Sequence, residues 1–177
     1  MYDGLVSDTQ KLKYHLSYDT KYKYLGGVDS SLSVSNRSKF YTIHHCFETI
    51  GFKSQEVNSI YSLLAGVLHL GNLNFYQDEG VHNDGKCHVA NKNSLIIISQ
   101  LLGVDEKELQ DALTQCSIVT RGETVIRSNT MQECQASRDA MSKGLYGRLF
   151  SWIVNKINLL LQPTVFELAF LYLHLLF

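Results

Sequence analysis

The chain has 177 residues, of which 45% are hydrophobic and 11% aromatic, so it can form one ordinary domain with a sizeable core. The 16 Lys and Arg residues nearly balance the 17 Asp and Glu residues, and a net charge of -1 argues against a nucleic-acid-binding protein. The four cysteines form no CxxC pair, which argues against a zinc ribbon or a disulfide scaffold and favours reduced thiols in a cytosolic protein.

Helical patterns dominate the first half of the chain. After a Ser-rich lead-in at residues 30–39, Phe40, Ile43, His44, Phe47 and Ile50 fall on one face of a predicted helix that Gly51 ends.

The clearest helix comes next, with Ser54 as its predicted N-cap and Gly71 and Asn72 at its end. His69 lies on it between two leucines, which favours a hydrogen-bonded core histidine over a catalytic one. The predicted core stripe of this helix consists of Val57, Ile60, Tyr61, Leu64, Val67 and Leu68.

Short strands are predicted at residues 73–76 and 87–90, joined by a polar loop at 77–86. A helix at 93–102 then ends at Gly103. Asp105 and Glu108 form a capping-box pattern at the start of another helix, which reaches residue 115.

Residues 117–120 and 123–126 are rich in β-branched side chains, with Arg121 and Gly122 between them. They predict an exposed hairpin or curled loop mounted between two helices. Surface loops on a rigid scaffold often bind partners. The alternative is that this segment only connects the two helices. The last helix is predicted at 131–162, where Pro163 ends it.

No self-contained active site emerges from the residues. The Gly85-Lys86 pair is followed by Cys87 instead of the Ser or Thr of a phosphate-binding loop. His82, Cys87 and His88 could suit zinc only with a fourth ligand from elsewhere, and a polar loop leading into a strand explains them better. We therefore expect no catalytic residue, metal or cofactor site in this chain. The apolar tail at 164–177 is too short for a predicted membrane span.

Several segments, taken together and in order, resemble a myosin motor (head) domain. They are residues 1–5, 23–25, 51–52, the LAGVLHLGNLNF run at 64–75, LLGV at 101–104, TRGE at 120–123, RDAMSK at 138–143, LYGRLF at 145–150 and Trp152. Each block is weak alone, but their shared order and spacing make the resemblance strong.

The resemblance implies a mainly α fold with a few short strands, as a partial piece of the larger α/β P-loop-type myosin motor. Residues 1–162 would be part of the motor domain, from the upper 50-kDa actin-binding subdomain. Residues 163–177 would be an apolar tail outside the family pattern. The family's phosphate loop and its switches would lie outside this chain. ATP and Mg would therefore belong to the complete motor, and the chain itself is expected to have no ATPase activity.

The resemblance also implies two surface loops that contact actin. Glu123 lies 16 residues before Asp139, where many myosins carry an acidic or phosphorylatable residue. The actin-contact loop would consist of Ser117, Ile118, Val119, Thr120, Arg121, Gly122, Glu123, Thr124, Val125 and Ile126. The second surface loop would contain Gln77, Asp78, Glu79 and Gly80.

The implied partners are filamentous actin and the remainder of the myosin heavy chain, without nucleic acid or a membrane span. The implied location is the cytoplasm and cytoskeleton, in a myosin complex. The chain would be a fragment of an actin-based, ATP-driven cytoskeletal motor. Two alternatives stay open: an ATP-independent actin-binding regulatory protein, and a non-functional truncated product.

Overall fold

The computed structural model describes residues 8–17, 20–26, 33–77, 86–120 and 123–163. Some predicted features lie outside this part of the chain. They are the first motif at residues 1–5, the tail at 164–177, and Asp78, Glu79, Gly80, Arg121 and Gly122.

The described chain is mostly helical, with two antiparallel two-stranded sheets, and this confirms the predicted fold class. A 3-10 turn at Lys23–Leu25 lies between the first two helices. In chain order the helices and strands are α1 (Asp8–Lys13), α2 (Ser33–Ile50), α3 (Ser54–Gly71), β1 (Phe75–Gln77), β2 (Cys87–Val89), α4 (Lys92–Leu102), α5 (Glu106–Thr114), β3 (Gln115–Thr120), β4 (Glu123–Ser128) and α6 (Met131–Leu160). β1 pairs with β2, and β3 pairs with β4.

Helix α3 lies at the centre of the fold and packs against α4, α6 and the 3-10 turn. It contributes to two hydrophobic clusters. Ile60 and Ala65 belong to the first, with Phe40, Phe52 and Leu149. Leu70 belongs to the second, with Leu73, Leu95, Ile98, Leu113 and Cys134. Full burial of one such leucine or isoleucine contributes about 1.5–3 kcal/mol, so these side chains hold the helices together.

The predicted boundaries of α2 and α3 need correction. Helix α2 begins at Ser33 rather than near residue 40, so residues 33–39 of the Ser-rich lead-in are helical. Ile43 was placed on the buried face but is 52% exposed. Ser54 is the first helical residue of α3, and the N-cap is Lys53, whose backbone N–H donates to Glu56 Oε2 at 2.8 Å.

The ends of α4 and α5 follow the predicted capping chemistry. Gly103 takes a left-handed conformation with φ of 67° after α4. Asp105 caps α5, with its Oδ1 accepting the backbone N–H groups of Lys107 at 2.9 Å and Glu108 at 3.0 Å. These bonds satisfy backbone donors that a helix start leaves without intrahelical partners.

His69 is a core histidine, as predicted. Its Nε2 lies 3.1 Å from the backbone carbonyl oxygen of Tyr14, which can only accept, so Nε2 carries the proton. The ring also meets Tyr22 edge-on at 5.7 Å between centroids. Burial lowers the pKa of His69, which favours the neutral ring at this position. The histidine therefore joins α3 to the segment that follows α1.

Helix α6 has 30 residues, corresponding to a length of roughly 45 Å at 1.5 Å per residue. It packs against α3, α5 and β1. Its second half also carries exposed apolar side chains, among them Tyr146, Phe150 and Leu159. The helix continues through Gly144 and Gly147, as predicted.

Gly71, the last residue of α3, allows the ring of Tyr24 to approach the helix closely. A Cβ atom at position 71 would lie 2.7 Å from Cδ2 of Tyr24. The ring is also held at its far end, because the Tyr24 hydroxyl donates to Asp139 Oδ1 at 2.5 Å and its oxygen lies 3.2 Å from Ser142 Oγ. Alanine at this position would therefore force a shift in a bonded side chain.

We expect Gly71→Ala to lower the free energy of unfolding by about 1–3 kcal/mol, the usual cost of overpacking. Gly147→Ala is the matched control, since a Cβ there meets nothing within 4 Å. Its expected effect is a gain of up to about 1 kcal/mol from helix propensity. Urea unfolding followed by circular dichroism measures both. Equal effects of the two substitutions would contradict the packing assigned to Tyr24.

Candidate functional site

Strands β3 and β4 form the hairpin that the two β-branched segments predicted. The register pairs Ser117 with Ile126, Ile118 with Val125, and Val119 with Thr124. Thr120 pairs with Glu123, so the structure brings these predicted site residues together in one element. Arg121 and Gly122, between the strands, lie outside the described residues.

The register assigns the hairpin side chains to two faces. Paired residues of an antiparallel ladder share a face, and successive residues alternate between faces. Ile118 and Val125 therefore share one face, with Cys116 and Arg127 nearer the base. The opposite face carries Ser117, Val119, Thr124 and Ile126. Each face thus presents a small β-branched apolar surface beside polar groups.

The apolar side chains of the hairpin are largely exposed. Val119 is 73% exposed and Ile126 is 66% exposed, while Val125 and Ile118 are also open to solvent. The hairpin contacts α5 at its base, but its two strands contact mainly each other. An exposed apolar surface on an element that projects from a packed core is typical of an interaction site.

A bidentate ion pair joins the base of the hairpin to the first turn of α6. Arg127 Nη1 donates to Glu133 Oε2 at 2.9 Å, and Arg127 Nη2 donates to Glu133 Oε1 at 2.6 Å. Glu133 Oε2 also accepts the backbone N–H of Thr130 at 2.8 Å, completing a capping box for α6. One carboxylate therefore caps the helix and binds the hairpin.

Asn129 provides a second attachment, to α5. Its backbone N–H donates to the carbonyl oxygen of Thr114 at 2.8 Å, and its Nδ2 donates to the carbonyl oxygen of Leu113 at 3.2 Å. The residue is 3% exposed, so these bonds lie inside the protein. The hairpin is thus fixed to two different helices at its base.

The ion pair shifts the pKa values of both its groups. The hydrogen bonds from Arg127, followed by the backbone N–H of Thr130, lower the pKa of Glu133 to about 2. The same carboxylate raises the pKa of Arg127. Both groups therefore stay charged throughout the physiological range, and the pair acts as a fixed connection.

A second polar cluster holds α6 against the end of α3. Arg138 is 4% exposed, and its Nη1 donates to the carbonyl oxygen of Leu73 at 2.9 Å. Its Nε donates to Asp139 Oδ1 at 2.8 Å. The hydrogen bond from Arg138, and to a lesser extent that from Tyr24, lowers the pKa of Asp139.

Sequence reasoning missed the structural roles of Glu133 and Arg138. The Thr130-x-x-Glu133 spacing is a capping-box signal that the sequence contains, so the start of α6 could have been found from it. The bond from Arg127 to the same carboxylate carries no such signal. Arg138 was noticed within a motif, but its burial depends on helices that are distant in sequence.

Of the second predicted loop, the structure describes Gln77, which ends β1 and pairs with Cys87. Cys87 is buried, and His88 lies against Tyr76 with ring centroids 5.5 Å apart. Within the described ranges, no group of three or more His, Cys, Asp and Glu side chains could hold a metal ion. Nor is any described helix both long enough and apolar enough to span a bilayer.

A family model and individual relatives both match this chain to myosins. Residues 1–171 match the family described as Myosin head (motor domain). The match ends within the segment that the sequence analysis assigned to a separate tail, so the boundary at residue 162 stays a prediction.

Individual relatives support the same family. The chain is 42% identical to mouse (Mus musculus) Myosin-IIIb over 169 residues, which are 92% of this chain and 13% of that protein. It is 41% identical to human (Homo sapiens) Myosin-IIIa over 168 residues, 92% of this chain and 10% of that protein. Zebrafish (Danio rerio) Unconventional myosin-Ic is 36% identical over 139 residues, 77% of this chain and 13% of that protein. The chain therefore spans about an eighth or less of the length of these relatives.

The lowered pKa of Glu133 predicts a pH-dependent contribution to stability. With a folded pKa of about 2 and a reference value of 4.5, this contribution is complete above about pH 4.5 and is lost as the pH falls towards 2. We expect Glu133→Gln to lower the free energy of unfolding equally at pH 7 and pH 5, and progressively less at pH 4 and pH 3.

Urea unfolding at these four pH values measures the effect. As a control, the same substitution in an Arg127→Gln background should lose most of its pH dependence, because the main cause of the pKa shift is then absent. An undiminished effect of Glu133→Gln at pH 3 would contradict the ion pair.

Proposed function

Because the chain belongs to the myosin motor-domain family, we propose that its β3–β4 hairpin supplies part of the surface by which an actin-based, ATP-driven motor contacts filamentous actin. The observation that carries this proposal is the exposure of Val119 and Ile126 on a hairpin whose base is fixed to two helices. An anchored element with an exposed apolar surface can bind a partner with little loss of conformational entropy.

Glu123 gives the hairpin a negative charge on the face that carries Ile118 and Val125, opposite Val119 and Ile126. It is exposed and begins β4. A carboxylate at the rim of a contact attracts a cationic group of the partner, and salt screens this attraction. The proposed contact thus combines a small apolar patch with one acidic group. Gln77, Asp78, Glu79 and Gly80 remain our proposal for a second surface that approaches actin.

The rest of the heavy chain is the second proposed partner. Tyr146, Phe150 and Leu159 on α6 are 56%, 61% and 62% exposed, and Tyr41 on α2 is 52% exposed. Exposed apolar surfaces of this kind often mark sites where other protein segments pack. We propose that such contacts place this chain in a myosin complex of the cytoplasm and cytoskeleton.

ATP and Mg are assigned to the complete motor and not to this chain. The sequence contains no complete G-x-x-x-x-G-K-[ST] loop: Gly80, Gly85 and Lys86 have its spacing, but Cys87 replaces the Ser or Thr and begins strand β2 instead of a helix. The residues present therefore do not fit the nucleotide, and no catalytic step is assigned to them. The proposed contribution of the chain is binding surface.

Reversal of the charge of Glu123 tests the hairpin assignment. We expect Glu123→Lys to weaken binding to filamentous actin about fivefold, the upper range for an exposed ion pair, and to reduce the dependence of binding on salt. Glu108→Lys is the matched control, since Glu108 is an exposed carboxylate on α5. Co-sedimentation at two salt concentrations measures both variants. Equal affinities for the two variants would contradict the assignment.

The purified chain is expected to release no phosphate from ATP above background, with or without actin filaments. A coupled phosphate-release assay measures this, with a mock purification as the control for contaminating enzymes. Turnover that co-purifies with the chain and exceeds the mock preparation would contradict the assignment of the nucleotide to the rest of the motor.

A further inference from the structure

We infer that Arg127 and Glu133 are positioning residues: their ion pair sets the orientation of the β3–β4 hairpin on α6 and thereby the affinity for the partner. This inference rests on the proposed function, since it names residues that support the same contact without forming it.

The bonding of the pair leaves little freedom of orientation. The two N–H···O bonds of 2.9 and 2.6 Å run in parallel, so the planar guanidinium and the carboxylate fix each other in direction as well as distance. Arg127 Nη1 also donates to the carbonyl oxygen of Ser128 at 3.1 Å. The Glu133 carboxylate is in turn held by the backbone N–H of Thr130.

The ion pair lies where the hairpin could otherwise pivot. Only Asn129 and Thr130 separate the end of β4 from the start of α6. The bonds of Asn129 attach this junction to α5. An attachment at one point permits rotation about it, whereas the additional bond from Arg127 to α6 fixes the direction of the strands. The tip residues would then be presented to the partner at a single angle.

The helical side of the connection is itself anchored. Arg138 follows Glu133 by five residues, roughly 7.5 Å along the helix axis, and binds the carbonyl oxygen of Leu73. Helix α6 therefore cannot turn independently of the chain between α3 and β1. A change in the position of α6 would pass to the hairpin through the Arg127–Glu133 pair.

The Arg127–Glu133 pair can influence affinity for the partner through the orientation of the hairpin, without touching the partner. Arg127 and Glu133 bond to each other and to the backbone within the chain, whereas the exposed apolar residues Val119 and Ile126 lie farther out on the strands. The side chains of Arg127 and Glu133 are 43% and 42% exposed, so salt weakens their interaction.

The test compares Arg127→Gln, Arg127→Lys and the control Arg37→Gln in the full 177-residue chain. Arg37 is exposed on α2, and its replacement removes the same charge. Glu133 and its bond to Thr130 are left unchanged, so α6 keeps its cap. Hydrogen–deuterium exchange measures hairpin mobility, and co-sedimentation measures binding to actin filaments.

For Arg127→Gln we expect faster exchange confined to the hairpin and a two- to fivefold weaker affinity, as for the loss of an exposed ion pair. Arg127→Lys keeps the charge but not the planar fork, so its effect on exchange and affinity should be intermediate. Arg37→Gln should change neither quantity.

Unchanged exchange of the hairpin in Arg127→Gln would overturn the positioning role, whatever the affinity. Equal affinity of Arg127→Gln and wild type, with the hairpin mobilised, would overturn the link between orientation and binding. If the wild-type chain itself fails to bind filaments, the proposed function is wrong. In that case, faster exchange confined to the hairpin would still support the structural role of the pair.

Discussion

The buried guanidinium of Arg138 is the constraint on which the arrangement of the other elements depends. An arginine stays charged in a protein, so burial requires that its donors be satisfied. Here they bind the carbonyl oxygen of Leu73 and the carboxylate of Asp139. These bonds fix α6 to the chain that leaves α3, and Tyr24 binds Asp139 from the other side. Helix α6 then carries the hairpin at its N-terminus and exposed apolar residues in its second half.

Local sequence patterns predicted most of the secondary structure. The periodic apolar stripe of α3, the left-handed Gly103 and the cap at Asp105 are each determined by residues close in sequence, and the structure confirms them. The start of α2 was wrong because intrinsic propensity is a weak guide in a Ser-rich segment. The exposure of Ile43 could not be predicted either, since it depends on which elements pack against α2.

The candidate site was only partly predictable for the same reason. Two runs of β-branched residues on either side of Arg121 and Gly122 were enough to predict the hairpin, and its exposure agrees with a binding role. The Arg127–Glu133 pair and the buried Arg138 required the fold, because each joins elements whose relative placement no local pattern specifies. Family membership rests on matches across nearly the whole chain. That the chain contacts actin, and that ATP binds another part of a larger motor, are proposals.

The most direct measurement is electron cryomicroscopy of actin filaments saturated with the purified chain. The account predicts density in which the strands of the β3–β4 hairpin lie against the filament surface, with Val119 and Ile126 at the interface, Glu123 at its rim and the Arg127–Glu133 pair behind it. Filaments contacted through α2 or the second half of α6, with the hairpin in solvent, would contradict it. Filaments that remain bare at saturating concentration would contradict it as well.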